Sequence, residues 1–367
     1  MFIWQQSNWP NFEYKIEELD DLLNEIVKLQ NRISKQVISL HSQDLYDIQK
    51  KSLVNNVFLS THSKDEGVDL LSIEDCVSVY LLKEKATHTA LSIENPLLIQ
   101  MFSKVMDDLH LPITQSKLYQ WHATLFAQST DQNIGELRRQ STHEMSHKTL
   151  KYIAPPKEEL TNQIQKFKFW FNEPFENDKQ NIVRAGIAHF WFITLHPFED
   201  GNGRIARALT DRALAQAKPE NAHLYSMTPA IDANKTKYQS LLIQTQRCQM
   251  KNQQSNPMDI TQWLEWFLHN LYEEMLKVLP FIEYKNAQDS FWLSHSQTVL
   301  TQRQVDVLNK IAKNADLFVD GINAGGYQEL TGVSKATATR DLTGLQKKGC
   351  LKKMSRGGRS TRYRLKY

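Results

Sequence analysis

From Lys15 to Leu40 the apolar residues Ile16, Leu19, Leu22, Leu23, Ile26, Leu29 and Ile33 return every three or four positions, the spacing of one helical face. The spacing predicts a helix there, and similar patterning predicts helices over Tyr46–Leu59 and Asn95–Leu109, separated by a less regular stretch, Ser60–Asp69. Ahead of the first helix, Trp4, Trp9 and Phe12 flank Pro10 and read as an aromatic plug folded back on the next layer. LYQWHATLF, Leu118–Phe126, predicts a short helix, whereas Gln128–His147 is polar and without sustained period. Thr149–Ile153, ending at Pro155-Pro156, has the pattern of an extended segment or hairpin arm. Glu158–Phe171 places Leu160, Ile164, Phe167, Trp170 and Phe171 on one helical face, and Asn181–Leu195 is apolar nearly all round, as in a helix at the centre of a bundle.

Helical patterning continues over Ile205–Lys218, Tyr238–Arg247 and Thr261–Leu279, and the polar stretch Glu283–Ser296 predicts a domain boundary. Beyond it, Thr301–Ala315 reads as a helix, and Gly326–Gly349 reads helix, tight turn at Gly332-Val333, helix, with Ser334 as cap. LKKMSRGGRSTRYRLKY then alternates about Gly357-Gly358 like a two-stranded wing. The expected fold class is mainly α: a helical bundle with a short β-hairpin, plus a C-terminal winged helix-turn-helix domain. Residues 1–97, 98–282 and 290–367 are the expected domains.

Composition is that of a soluble globular chain, with 41% hydrophobic and 23% charged residues among 367. The start, MFIWQQSNWP, lacks the basic and apolar regions of a signal sequence, and Ala185–Leu195 is too short to span a bilayer. A cytoplasmic location without membrane attachment is expected. Cys76, Cys248 and Cys350 lie far apart, which supports neither a disulfide framework nor a cysteine zinc site. Net charge adds an asymmetry: Ser334–Tyr367 holds eleven Lys or Arg and one acid, Asp341, so this tail carries +10 within a chain of net +3. Such a module suits a polyanion.

The chemistry concentrates in His196–Arg207, HPFEDGNGRIAR. Pro197 biases His196 out of the helical region, presenting the imidazole at a helix end. Gly201 and Gly203 allow close backbone approach, and N–H groups at the start of the following helix form an anion site suited to phosphate. Arg204 and Arg207, three apart, share a helix face and offer two guanidinium forks, while Asp200 is a hard oxygen ligand where a phosphate-bridging Mg2+ needs one. An ordinary imidazole, pKa ~6.5, is largely neutral near pH 7 and makes His196 the candidate base.

This stretch resembles in full the Fic-family motif HxFx(D/E)GNGRxxR, and the resemblance extends to WHATLF, YIAPP and LYSMTPAIDANKTKYQSLL, covering Leu98–Leu279. The aromatic start, IWQQSNWPNFEY, is similar to the helical leader of a subset of Fic proteins that often carries a C-terminal winged helix. The resemblance implies Mg2+-dependent transfer of AMP from ATP to a Ser, Thr or Tyr hydroxyl of a protein, the chain itself included. His196 would be the base, Phe198 an anchor for the loop, Asp200 the metal ligand, and Gly201, Asn202, Gly203, Arg204 and Arg207 the phosphate contacts. Thr149–Ile153 would be the flap aligning the target by strand addition. Tyr238 occupies part of the family's adenine-side tyrosine pair, with Lys237 in place of the first tyrosine. Removal of AMP by the same site is the alternative, as is a DNA-binding regulator with secondary enzyme activity.

Relatives of this organisation also carry an inhibitory pattern, (S/T)xxxE(G/N), whose glutamate pairs with the second motif arginine. HSKDEG, His62–Gly67, places Glu66 there with His62 at the hydroxyl position; ALSIEN, Ala90–Asn95, is the second candidate. Glu66 is preferred for its distance from the aromatic leader. On the C-terminal module, Lys335, Thr337, Thr339, Arg340 and Arg359 are the residues expected to meet double-stranded DNA. His143–His147, HEMSH, spells HExxH but lacks a helical apolar face to carry it, and His122 and His189 read as packed structural histidines. A homodimer is compatible with the helical surface.

Overall fold

A computed structural model describes residues 1–61, 70–82, 94–129, 133–140, 143–146, 149–248, 256–313, 318, 320–354 and 361–366. Glu66 and Arg359 lie outside these residues, as do His147 and residues 90–93 of the second inhibitory candidate. The chain divides into two compact units, Met1–Ile282 and Glu283–Tyr367.

The first unit is a helical bundle. Its leader helix α1 spans Ile16–Ile38 and buries Leu19, Leu23, Ile26, Leu29, Ile33 and Val37, the face that the apolar spacing predicts. Helix α2, Ser42–Thr61, follows. Helix α3, Leu70–Leu81, is absent from the sequence reading. It buries Ile73, Cys76 and Val77, a helical i, i+3, i+4 set, but its twelve residues are rich in β-branched side chains that read equally as strand. Helices α4 (Glu94–Met106) and α5 (Gln115–Leu125) lead to the antiparallel pair β1 (His143–Ser146) and β2 (Thr149–Ile153). Then come α6 (Lys157–Asn172), α7 (Asp178–Leu195), α8 (Asn202–Ala217), α9 (Thr228–Ala233), α10 (Lys235–Gln246) and α11 (Thr261–Ser294), of which the residues to Ile282 belong to this unit.

Helix α7 is the axle of this unit. Asn177 caps it by accepting from the Gln180 amide at 3.0 Å, and fourteen of its residues are buried. Gly186 lets α11 lie close: a Cβ there would come within 2.9 Å of both Leu264 and Phe267, and Trp263 Nε1 donates to the Gly186 carbonyl at 3.0 Å. The aromatic plug is where the sequence places it. Trp9 and Phe12 meet Trp191 edge-on at 6.0 and 5.5 Å, and Trp9 Nε1 donates to Gln163 at 2.8 Å. Each buried aromatic ring of this kind contributes about 1.5–3 kcal/mol through removal from water.

The stretch expected as a polar boundary, Glu283–Ser296, is helical to Ser294 as the end of α11, and Pro280 lies inside that helix. In the second unit α12 (Gln302–Lys313), α13 (Ala324–Thr331) and α14 (Lys335–Lys347) precede an antiparallel pair, β3 (Leu351–Lys353) and β4 (Tyr363–Leu365). Gly332 sits at φ 72° between α13 and α14, and Ser334 Oγ accepts from the Thr337 amide at 3.3 Å. The tail's single acid, Asp341, is buried and accepts from Arg303 Nε at 2.8 Å and the Tyr327 hydroxyl at 3.0 Å.

HEMSH does not form the helical turn that a zinc-binding pair requires, because His143–Ser146 is strand β1. Among the described residues no helix is long and apolar enough to cross a membrane.

Candidate active site

The motif residues gather where α7 ends and α8 begins. His196 closes α7 with its amide donating to the Phe192 carbonyl at 3.1 Å, and its backbone is left-handed, at φ 46° and ψ 57°. Proline at 197 favours extended backbone for its predecessor, but the helix-ending hydrogen bond selects the left-handed cap instead. A neutral imidazole carries one N–H donor and one nitrogen free to take a proton. Burial first, and then the Arg138 cation, push the His196 imidazole down to about 4, so it is neutral at physiological pH.

The turn after His196 is built from its own side chains. Asn202 accepts from the Phe198 amide at 3.0 Å and donates to the Phe198 carbonyl at 2.8 Å, so its carboxamide serves the shape of the loop. Phe198 is fully buried and stacks on His122 at 4.2 Å between ring centroids, with 10° between the planes. His122 in turn accepts from the Gly135 amide at 2.9 Å, consistent with a structural histidine.

Gly201 caps α8 at φ 79°, where a side chain would be strained and a Cβ would strike the Phe126 ring at 2.9 Å. Gly203 is under no such pressure: a Cβ there meets only Arg207 Nη1, at 3.5 Å. Its effect is to keep the first turn of α8 open. The first intrahelical bond runs from the Ile205 amide to the Gly201 carbonyl at 3.0 Å, so the amides of residues 202–204 have no partner one turn back. An anion gains from both those amides and the helix dipole.

The two arginines part ways. Arg204 lies 3.4 Å from Asp200 Oδ2 and 5.0 Å over the Phe126 ring, at the mouth of the turn. Arg207 reaches inward, and its Nη2 donates to Ser60 Oγ at 3.2 Å. Ser60 lies in the last turn of α2, immediately before the segment that contains Glu66, and no sequence signal linked it to the motif.

The Asp200 side chain is 55% exposed and accepts from the Gly201 amide at 2.6 Å. Among the described residues no three His, Cys, Asp or Glu side chains form a metal cage. One carboxylate beside an open helix N-terminus fits Mg2+, which keeps several waters and takes substrate phosphates as ligands, and does not fit a dedicated all-protein site.

Tyr238 lies on α10 and packs against Trp266 at 5.6 Å and Trp263 at 6.1 Å. Its hydroxyl meets His189 Nε2 at 2.9 Å, and His189 Nδ1 meets Thr210 Oγ1 at 3.1 Å. Thr210 donates to the Ala206 carbonyl at 2.9 Å, so it accepts from His189, and Tyr238 therefore donates to the remaining imidazole nitrogen. Burial lowers His189 to about 3 and keeps it neutral for this chain of bonds, as a structural histidine.

Arg138, which no sequence motif marks, is 2% exposed and donates from Nε to the His196 carbonyl at 2.7 Å.

Residues 112–214, which include every element of this turn, match the family model described as Fic/DOC family. The chain carries a Fic domain. Ahead of it, residues 2–81 match a model described as a domain of unknown function, DUF4172. Over 107 residues the chain is 30% identical to the protein adenylyltransferase Fic of Drosophila mojavensis, a match covering 29% of this chain and 20% of that protein. The corresponding protein of Drosophila grimshawi is 29% identical over 107 residues, with 29% and 21% covered. The match thus spans about a fifth of the length of these curated relatives.

Two solved structures share the fold of the Fic domain and its surroundings. A Fic family protein from Desulfovibrio desulfuricans aligns over 95% of both chains with a TM-score of 0.53 at 16% identity. A Fic domain containing signaling protein from Bacteroides thetaiotaomicron aligns over 72% of this chain and 97% of its own, with a TM-score of 0.54 at 20% identity.

Proposed function

We propose that this chain transfers AMP from ATP to a hydroxyl group on a protein. The observation that carries the reading is a neutral imidazole, His196, fixed in a left-handed cap beside the open N-terminus of a helix. The substrate hydroxyl gives its proton to the acceptor nitrogen of His196 as its oxygen bonds to the α-phosphorus. The bond from that phosphorus to the bridging oxygen breaks, and pyrophosphate leaves. The amides at the start of α8 and Arg204 hold phosphate oxygens, and Arg207 does so once drawn from Ser60; positioning and charge neutralisation supply most of the acceleration. Asp200 would hold Mg2+, which when bound offsets phosphate charge. Tyr238 stands at the nucleotide-base side, and the β1–β2 pair offers an edge on which a target segment can align.

Incubating the purified chain with Mg2+ and ATP labelled on the α-phosphate should place label covalently on protein, with EDTA abolishing it. Label from γ-labelled ATP in place of α-labelled ATP would refute AMP transfer.

The contact of Arg207 with the end of α2 supports a second part of the proposal: the leader restrains the motif arginine. Glu66, six residues beyond Ser60, is then the inhibitory carboxylate.

The C-terminal unit offers a separate, cationic surface. On α14, Lys335, Thr339 and Arg340 are exposed and Thr337 half-buried, while Ala338 and Leu342 face the core. With Lys352 and Lys353 exposed on β3 and Arg364 on β4, this surface is suited to the phosphates of double-stranded DNA. If about five cations meet phosphates, the log–log salt slope of duplex binding should be near ~-4.5. A flat salt response would remove DNA from the reading.

A further inference from the structure

We infer that Arg138 is a positioning residue that holds the histidine of the active-site turn and the foot of the β-hairpin in a single frame. Its guanidinium lies between three backbone segments. Nε donates to the His196 carbonyl at 2.7 Å, Nη1 to the Gln140 carbonyl at 2.8 Å, and Nη2 to the carbonyl of Pro155. The Arg138 amide adds a bond to the Pro197 carbonyl at 2.9 Å, and the Arg139 amide donates to Glu199 Oε1 at 2.9 Å. The segment around Arg138 is therefore stitched along the turn from His196 to Glu199.

Pro155 stands between Ile153, the last residue of β2, and Lys157, the first of α6. The same foot is held at two further points: the Tyr152 hydroxyl donates to the Thr194 carbonyl at 2.7 Å, and Trp4 Nε1 donates to the Ile153 carbonyl at 2.8 Å. Only Arg138 joins that foot to His196 itself among these three contacts. A planar guanidinium with five donors spans three carbonyls at fixed angles, whereas an ammonium on a flexible stem cannot. A cation at the C-terminal end of α7 also complements the helix dipole, and it offsets unsatisfied carbonyls around a backbone conformation that non-glycine residues rarely take.

This assignment rests on His196 being the base. Its consequence is a division of labour. Arg138 touches no phosphate cradle residue, so its loss should misplace the imidazole relative to the aligned hydroxyl without weakening nucleotide binding. Arg212 provides the control. It is equally buried and donates to the carbonyls of Val105, Asp107, Asp108 and Leu111, at the end of α4 and well along the chain from the active-site turn.

The test compares Arg138→Lys, Glu199→Ala and Arg212→Lys in the full chain, with label-transfer kinetics, urea unfolding and NMR of the ring-labelled histidines. The His196 resonance is assigned by its loss in His196→Ala. For Arg138→Lys, kcat per folded molecule should fall on the order of 10- to 100-fold, the scale of a misplaced reacting group, with KM for ATP within about two-fold. The His196 ring resonance should move as well. Glu199→Ala, at an exposed position, removes the acceptor of the Arg139 amide together with a carboxylate charge that acts on His196 and Arg138. It should move kcat and the resonance in the same direction without loss of folding, which keeps the test decisive if Arg138→Lys does not fold. Arg212→Lys should lower the urea midpoint and leave both kcat per folded molecule and the His196 resonance in place. A His196 resonance unmoved by Arg138→Lys and Glu199→Ala overturns the inference, as does a change confined to KM. Absence of label from the unsubstituted chain would instead overturn the AMP-transfer reading, and the resonance alone would then decide the positioning role.

Discussion

Replacing His196 with alanine is expected to remove covalent label transfer, by a factor on the order of 10²–10⁴, while the chain stays folded. The imidazole is half-buried and its backbone sits at φ 46°, so the residue has both a chemical and a conformational role. Alanine keeps the conformational cost and deletes the ring; glycine deletes the ring and relieves the left-handed backbone. Both variants should therefore be inactive, and His196→Gly should be at least as resistant to urea as His196→Ala. Measured label incorporation alongside urea midpoints separates the two roles. An active glycine variant would mean that the turn, and not the imidazole, carries the reaction.

The second large effect runs the other way. Glu66→Gly should raise label transfer about 10- to 100-fold, the worth of one charged hydrogen-bonding group returned to phosphate binding. The Arg207 guanidinium is drawn away from the mouth of the turn and donates to Ser60 Oγ at 3.2 Å. An arginine held by the leader is unavailable to a nucleotide, and a carboxylate placed just after Ser60 would hold it more strongly than a hydroxyl does. Ser60→Ala should act in the same direction with a smaller gain. If the site removes AMP, the glutamate would instead orient a water, so Glu66→Gly would lower removal while raising transfer. Rates of both reactions unchanged by the substitution would discard the brake.

Much of the bundle was legible because it rests on local periodicity. The faces of α1, α6 and α7 follow apolar spacing that repeats within a few turns, and their observed bounds differ from the expected ones by a few residues. The turn from His196 to Arg207 was legible for a related reason. A proline, two glycines, two acids and two arginines crowd into twelve residues, and each limits backbone or charge in its own way. Helix α3 was missed because Ile73, Val77 and Val79 suit either period, and tertiary burial of Ile73, Cys76 and Val77 decides for helix. The polar run Glu283–Ser296 reads as a domain boundary, and the two compact units divide at Ile282 and Glu283, while α11 runs on to Ser294 because polar side chains do not by themselves end a helix.

The amino-acid sequence by itself determined which residues could carry proton transfer and phosphate binding, and that they stand at the junction of two helices. It did so because backbone restriction by proline and glycine, and formal charge, belong to residues wherever they lie. Only the tertiary structure decided how those residues are used: Asn202 turned back on Phe198, Arg207 drawn to Ser60 across 147 positions of sequence, and Arg138 bonded to His196 across 58. Such bonds join side chains to partners made adjacent by folding, and many of those partners are backbone carbonyls, which every residue possesses. No periodicity or motif can mark them before the chain has closed.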